Sequence, residues 1–117
     1  MNYLAEMKRV KAMDDIRSLG EKIRTELKKR YGSKVLQIIL YGSYARGEAT
    51  SESDVDFLVL VDDSLDPWEV RRGLDDVLLD LLLKQGRLIS ILVVPKSLYE
   101  NQSFPFLIQI RREGIPL

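Results

Sequence analysis

Residues 41–57 read YGSYARGEATSESDVDF, and this stretch constrains the chain more than any other. An apolar, β-branched run, KVLQIILYG over 34–42, leads into it and stops at Gly42. A second run, DVDFLVLV over 54–61, leads out of it. Both have the composition of buried strands. In the second run, alternation places Val55, Phe57, Val59 and Val61 on one face, and Asp54, Asp56, Leu58 and Leu60 on the other. Two carboxylates therefore share a face where a greasy strand begins, with Cα atoms roughly 6.5–7 Å apart. Like charges that close repel each other, so the pattern asks for a cation between them.

The segment between the runs supplies the complement. Gly42 and Ser43 lie just past the first strand, and SYARGEA is long enough for one or two helical turns, with Ser43 as N-cap and Gly47 as the end. A helix start behind a glycine presents free backbone N–H groups, and the missing side chain lets a phosphate approach the backbone. Ser43 adds a hydroxyl donor, and Arg46 is within reach of a phosphate. Mg²⁺ takes oxygen ligands and commonly binds through one or two carboxylates plus substrate phosphates. A phosphate cradle beside a carboxylate pair is a template for metal-assisted phosphoryl or nucleotidyl transfer. The bland alternative is a plain turn beside a solvated strand end. Tyr41 and Tyr44 read as packing residues, and Glu48 and Glu52 as surface charges.

The rest of the chain builds an α/β scaffold around this stretch. Leu4, Met7, Ile16, Leu19, Ile23 and Leu27 recur at helical spacing up to about Tyr31, with Gly20 a possible break into two helices and Gly32-Ser33 the stop. Two readings of this segment stand: a helix packed on a sheet, or a helix whose first half projects toward a partner. DPWE, with Asp66 as N-cap and Pro67 at the first helical position, opens a helix that turns Val70, Leu74, Val77, Leu78 and Leu81 inward and ends at Gly86. Trp68 is expected to pack. RLISILVVP is a third strand closed by Pro95, SLYE reads as another capping box, and a last amphipathic segment runs roughly from Phe104 to Glu113. The order is helix, strand, short connection, strand, helix, strand, helix. It makes one domain over residues 1–117: a helical segment (1–31), a sheet and site core (34–95) and a C-terminal helical segment (96–117).

Composition narrows the chemistry. The chain of 117 residues has no cysteine and no histidine, which removes disulfides, thiolate metal sites and the usual general base. Chemistry must run on carboxylates, hydroxyls, Lys, Arg and hard, oxygen-bound cations. Lys plus Arg number 18 and Asp plus Glu number 18, so the net charge is zero and gives no support to a generic nucleic-acid binder. No apolar run approaches the roughly 20 residues of a membrane span, and MNYLAEMKRVKAMDD has no signal-peptide core. A cytoplasmic location is expected.

The stretch GSYARGEATSESDVDFLVLV resembles the signature of the polymerase-beta-type nucleotidyltransferases in their minimal, stand-alone form. The resemblance implies their fold, a small mixed sheet of three to four strands with helices on one face. It implies that Gly42 and Ser43 contact the triphosphate of ATP or another NTP. It implies that Asp54 and Asp56 are catalytic and bind Mg²⁺ or Mn²⁺. Minimal members often pair with a small helical protein of the HEPN class, for which they act as antitoxins, in some cases transferring AMP from ATP to a partner tyrosine; a homo-oligomer is the other expected assembly. One feature departs from the family pattern. A third carboxylate belongs on the strand after the helix, and RLISILVV has none; Ser90 stands at that position. Glu48, Asp62 and Asp63 are the local acids able to substitute. Two functions follow as expectations: a Mg²⁺-dependent transferase with a hydroxyl acceptor, or a weak or inactive nucleotide-binding, antitoxin-like regulatory subunit.

Overall fold

The computed structural model describes residues 2–101 and 103–117. Its elements are α1 (Tyr3–Tyr31), β1 (Val35–Tyr41), α2 (Ser43–Arg46), β2 (Val55–Val61), α3 (Pro67–Arg72), α4 (Asp75–Gln85), β3 (Ile89–Pro95), α5 (Lys96–Glu100), α6 (Pro105–Glu113) and β4 (Ile115–Pro116). The strands form one mixed sheet in the order β3-β2-β1-β4. β1 runs antiparallel to β2 and to β4, and β2 runs parallel to β3. The parallel pair needs a crossover, which α3 and α4 supply.

Alternation along the strands divides the core in two. On one face, Ile38, Leu40, Val55, Phe57 and Val59 pack with Ile16, Leu19, Ile23 and Leu27 of α1, Val70 of α3 and Leu81 of α4. On the other, Ile39, Leu58 and Val94 meet Leu107 and Ile110 of α6. The mixed four-stranded sheet matches the expected fold. Its long helices share one face as expected, while α6 covers the opposite one. The reason is the even-numbered apolar set of β2, Leu58 and Leu60, which continues past the two aspartates and has to be shielded from water.

Other expectations shift. Gly20 does not break α1, which is one helix of 29 residues. A Cβ on Gly20 would lie 2.8 Å from Leu117 Cδ1, so the glycine serves the close passage of the C-terminal residue. The helix opening at Pro67 is capped as expected, Asp66 Oδ1 accepting from Trp68 N–H at 2.9 Å. It divides at Gly73, whose carbonyl accepts from Arg30 Nη1 at 2.9 Å. Trp68 does not pack; it is 78% exposed. At SLYE, Ser97 N–H donates to Asp63 Oδ1 at 2.9 Å and no side chain of the segment caps it.

Candidate nucleotide and metal site

β1 ends at Tyr41, and the backbone turns at Gly42 with φ 77 and ψ −156, a region open almost only to glycine. A second constraint acts on the same residue. A Cβ at Gly42 would lie 2.2 Å from Asp56 Oδ2. The glycine turn and the Asp56 carboxylate are thus in direct contact, 14 residues apart in sequence. Gly42, not Ser43, is the N-cap of α2, and Gly47 closes it in the left-handed conformation with φ 72. The helical ladder begins with Arg46 N–H donating to Gly42 O at 3.1 Å. The amides of Ser43, Tyr44 and Ala45 precede that ladder.

The register fixes the rest. Asp56 pairs with Tyr41 on one side and with Ser90 on the other. Asp54 lies just before β2 and is exposed, whereas Asp56 is half-buried. Burial, and then the negative charge of Asp54, push the Asp56 carboxyl above its ordinary value of 3.8, with Arg46 pulling back. Asp56 and burial together raise the Tyr41 hydroxyl in turn, burial being the larger cause. Among the described residues, neither aspartate takes part in an ion pair. Two like charges, one of them partly desolvated and without a cationic partner in contact, fit a divalent cation as counter-charge.

Ser90 pairs with Asp56 in the parallel register and is exposed. Asp62 and Asp63 do not reach the site. They follow the far end of β2, roughly 20 Å away along a seven-residue strand, where Asp62 Oδ2 accepts from Ser64 N–H at 2.9 Å and Asp63 takes the Ser97 amide. Glu48 is engaged by Arg46, Nε to Oε2 at 3.1 Å. Among the described residues no cluster of three or more acidic groups could hold a metal, and Asp54 and Asp56 stand as the candidate carboxylates.

Arg46 is brought to the site's rim and held there by two carboxylates, Glu48 and, from α6, Glu113 Oε1 at 3.1 Å. Gln109 donates to the other Glu113 oxygen at 3.2 Å. The sequence carries no local signal for Glu113, which lies 67 residues from Arg46. Tyr41 and Tyr44 pack as expected: Tyr41 meets Phe106 edge-to-face at 6.0 Å, and Tyr44 sits in the core rim under Arg87.

The family model described as "Nucleotidyltransferase domain" matches residues 21–116, which contain the glycine turn, both aspartates and all four strands. The chain belongs to the nucleotidyltransferase domain family. Among proteins similar to this nucleotidyltransferase is "Putative protein adenylyltransferase MJ0604" of Methanocaldococcus jannaschii, 38% identical over 76 residues, covering 65% of this chain and 70% of that protein. "Putative protein adenylyltransferase MJ0128" of the same organism is 37% identical over 98 residues, covering 79% of this chain and 96% of that one. A solved structure of a toxin-antitoxin MntA-HpeT mutant superimposes with a TM-score of 0.50 at 25% identity, covering 84% of this chain and 70% of that chain.

Proposed function

We propose that this nucleotidyltransferase moves a nucleoside monophosphate from an NTP, ATP being the favoured donor, to a hydroxyl on a partner protein. The acceptor oxygen bonds to the α-phosphorus, the bond to the β-phosphate oxygen breaks, pyrophosphate leaves, and the acceptor proton passes to solvent. The observation that carries this reading is the contact between the Gly42 turn and the Asp56 carboxylate, which supports pairing a phosphate on the turn's backbone with a cation on the two aspartates. The amides at the start of α2 and the Ser43 hydroxyl donate to the triphosphate. Asp54 and Asp56 hold Mg²⁺ or Mn²⁺, which when bound neutralises phosphate charge. Arg46 stands at the rim to meet a phosphate oxygen.

Relatives named as protein adenylyltransferases support AMP as the group transferred and a protein as the acceptor. The resemblance to the MntA-HpeT structure supports a partner protein in a toxin-antitoxin pair; that this partner is helical and HEPN-type rests on the family resemblance of the signature. The same relatives favour a transferring enzyme over a purely regulatory subunit, and Ser90 in place of a third carboxylate sets the expectation of a slow one. The test is incubation with α-labelled ATP, Mg²⁺ and the protein encoded beside this chain. Label on that protein, lost on chelation and in the Asp54→Ala, Asp56→Ala double variant, supports the reading; label that persists in the folded double variant overturns it.

A further inference from the structure

Helix α1 carries two apolar stripes, and they face opposite ways. Ile16, Leu19, Ile23 and Leu27 are buried on the sheet. Tyr3, Leu4, Met7 and Val10 are 75%, 64%, 51% and 62% exposed. At 100° per residue, the direction of Tyr3, Met7 and Val10 lies roughly 160° from that of the buried set. The projecting half of the helix therefore does not extend the core seam; it offers a second one on the helix's back. A shallow groove runs along it, lined by Tyr3, Glu6, Met7, Val10, Lys11 and Asp14.

Those residues are spaced as a heptad seam. With Met7 at a and Val10 at d, Tyr3 is the preceding d, Glu6 is g, Lys11 is e and Asp14 is the next a. Glu6 and Lys11 are of opposite sign and five residues apart. In a parallel two-stranded coiled coil, a g residue faces the e residue five positions on in the other strand, so a second copy of the chain brings Glu6 to Lys11 twice, once on each side. The buried stripe points away from the seam, so each copy carries its globular body on the outer side of the helix pair. We infer that the projecting half of α1 is a self-association surface, pairing in parallel with α1 of a second copy through Tyr3, Met7 and Val10. Asp14 and then Arg17, Ser18 and Glu21 end the apolar seam after about three turns. So short a seam gives a weak dimer that dissociates on dilution.

Sedimentation of the full chain over a concentration series is the test. Monomer and dimer should exchange with concentration. Glu6→Lys or Lys11→Glu alone should weaken association about tenfold, the scale of reversing two exposed ion pairs, and the two together should restore it. All of these residues are exposed, so circular dichroism should stay that of the native fold. The chain has no cysteine, so Val10→Cys adds a single thiol facing its own symmetry mate, and mild oxidation should give a covalent dimer. Leu83→Cys, 75% exposed elsewhere, should not. A chain that stays monomeric at every concentration overturns the inference. So does a charge swap that fails to restore association, or a disulfide formed only on mixing Met7→Cys with Val10→Cys chains, which is the antiparallel result.

Discussion

Gly42 and Asp56 exclude a side chain between them: a methyl group on the glycine would meet Asp56 Oδ2 at 2.2 Å. The same glycine holds φ 77. Gly42→Ala therefore faces two independent obstacles. Backbone strain alone costs about 1–3 kcal/mol, and the Asp56 carboxylate has to rotate away. We expect a lower melting temperature together with loss of Mg²⁺-dependent nucleotide binding by calorimetry. A variant that melts lower yet binds MgATP normally would detach the glycine turn from the site.

The pH dependence of stability isolates Asp56. Its carboxyl titrates above 3.8 in the folded chain. Between 3.8 and that raised value the native state holds more proton than the unfolded state, so stability falls as pH climbs through the window. Above it the ionised group is a constant burden. Asp56→Asn should flatten this part of the profile and melt higher than the native protein at neutral pH, while abolishing transfer. Saturating Mg²⁺ should raise the melting temperature of the native chain and leave the variant unmoved. Parallel pH profiles for the two proteins would remove the desolvation and Asp54 repulsion assigned to this carboxylate.

What was legible in the sequence was local. Alternation in DVDFLVLV is a property of one strand, so the expectation that Asp54 and Asp56 share a face came from the spacing alone, although the strand itself begins one residue later, at Val55. Ser90 was singled out only through the family pattern; its parallel register with Asp56 needed the structure. The features that escaped depend on distant groups. Arg30 donates to the carbonyl of Gly73, where the crossover helix divides; Leu117 packs against Gly20 and needs it small without bending α1; Glu113 arrives at Arg46 from the far end of the chain. Neither periodicity nor propensity encodes which of many exposed charges will meet. The two-residue strand β4 was invisible for a related reason: Ile115 and Pro116 pair with Leu40 and Ile39 only because α6 delivers them to that edge.

Ser90→Asp tests the missing charge. Ser90 is in register with Asp56 on the neighbouring strand and exposed, so an added carboxylate costs little burial and joins the pair on one face. Without metal it should raise the Asp56 carboxyl further and lower the melting temperature. With metal it should tighten Mg²⁺ binding and speed transfer, because a third acid offsets cation charge that a hydroxyl cannot. A folded variant with unchanged Mg²⁺ affinity would mean that the cation sits away from β3.

Arg46 has two assignments to separate, a clamp between α2 and α6 and a phosphate ligand. As a clamp it bridges Glu48 and Glu113, and either Arg46→Ala or Glu113→Ala removes the bridge to α6. As a ligand it acts only through its own guanidinium. Both variants should therefore lower the melting temperature, Arg46→Ala the more, because it leaves the Glu113 carboxylate, only 15% exposed, without its cation. Only Arg46→Ala should weaken nucleotide binding, by about tenfold, the scale of losing one charge-assisted hydrogen bond to phosphate. Equilibrium dialysis with ATP and Mg²⁺ reads the difference. Equal affinity in the two variants would reduce Arg46 to a structural tie, leaving the α2 amides and Ser43 to hold the phosphates.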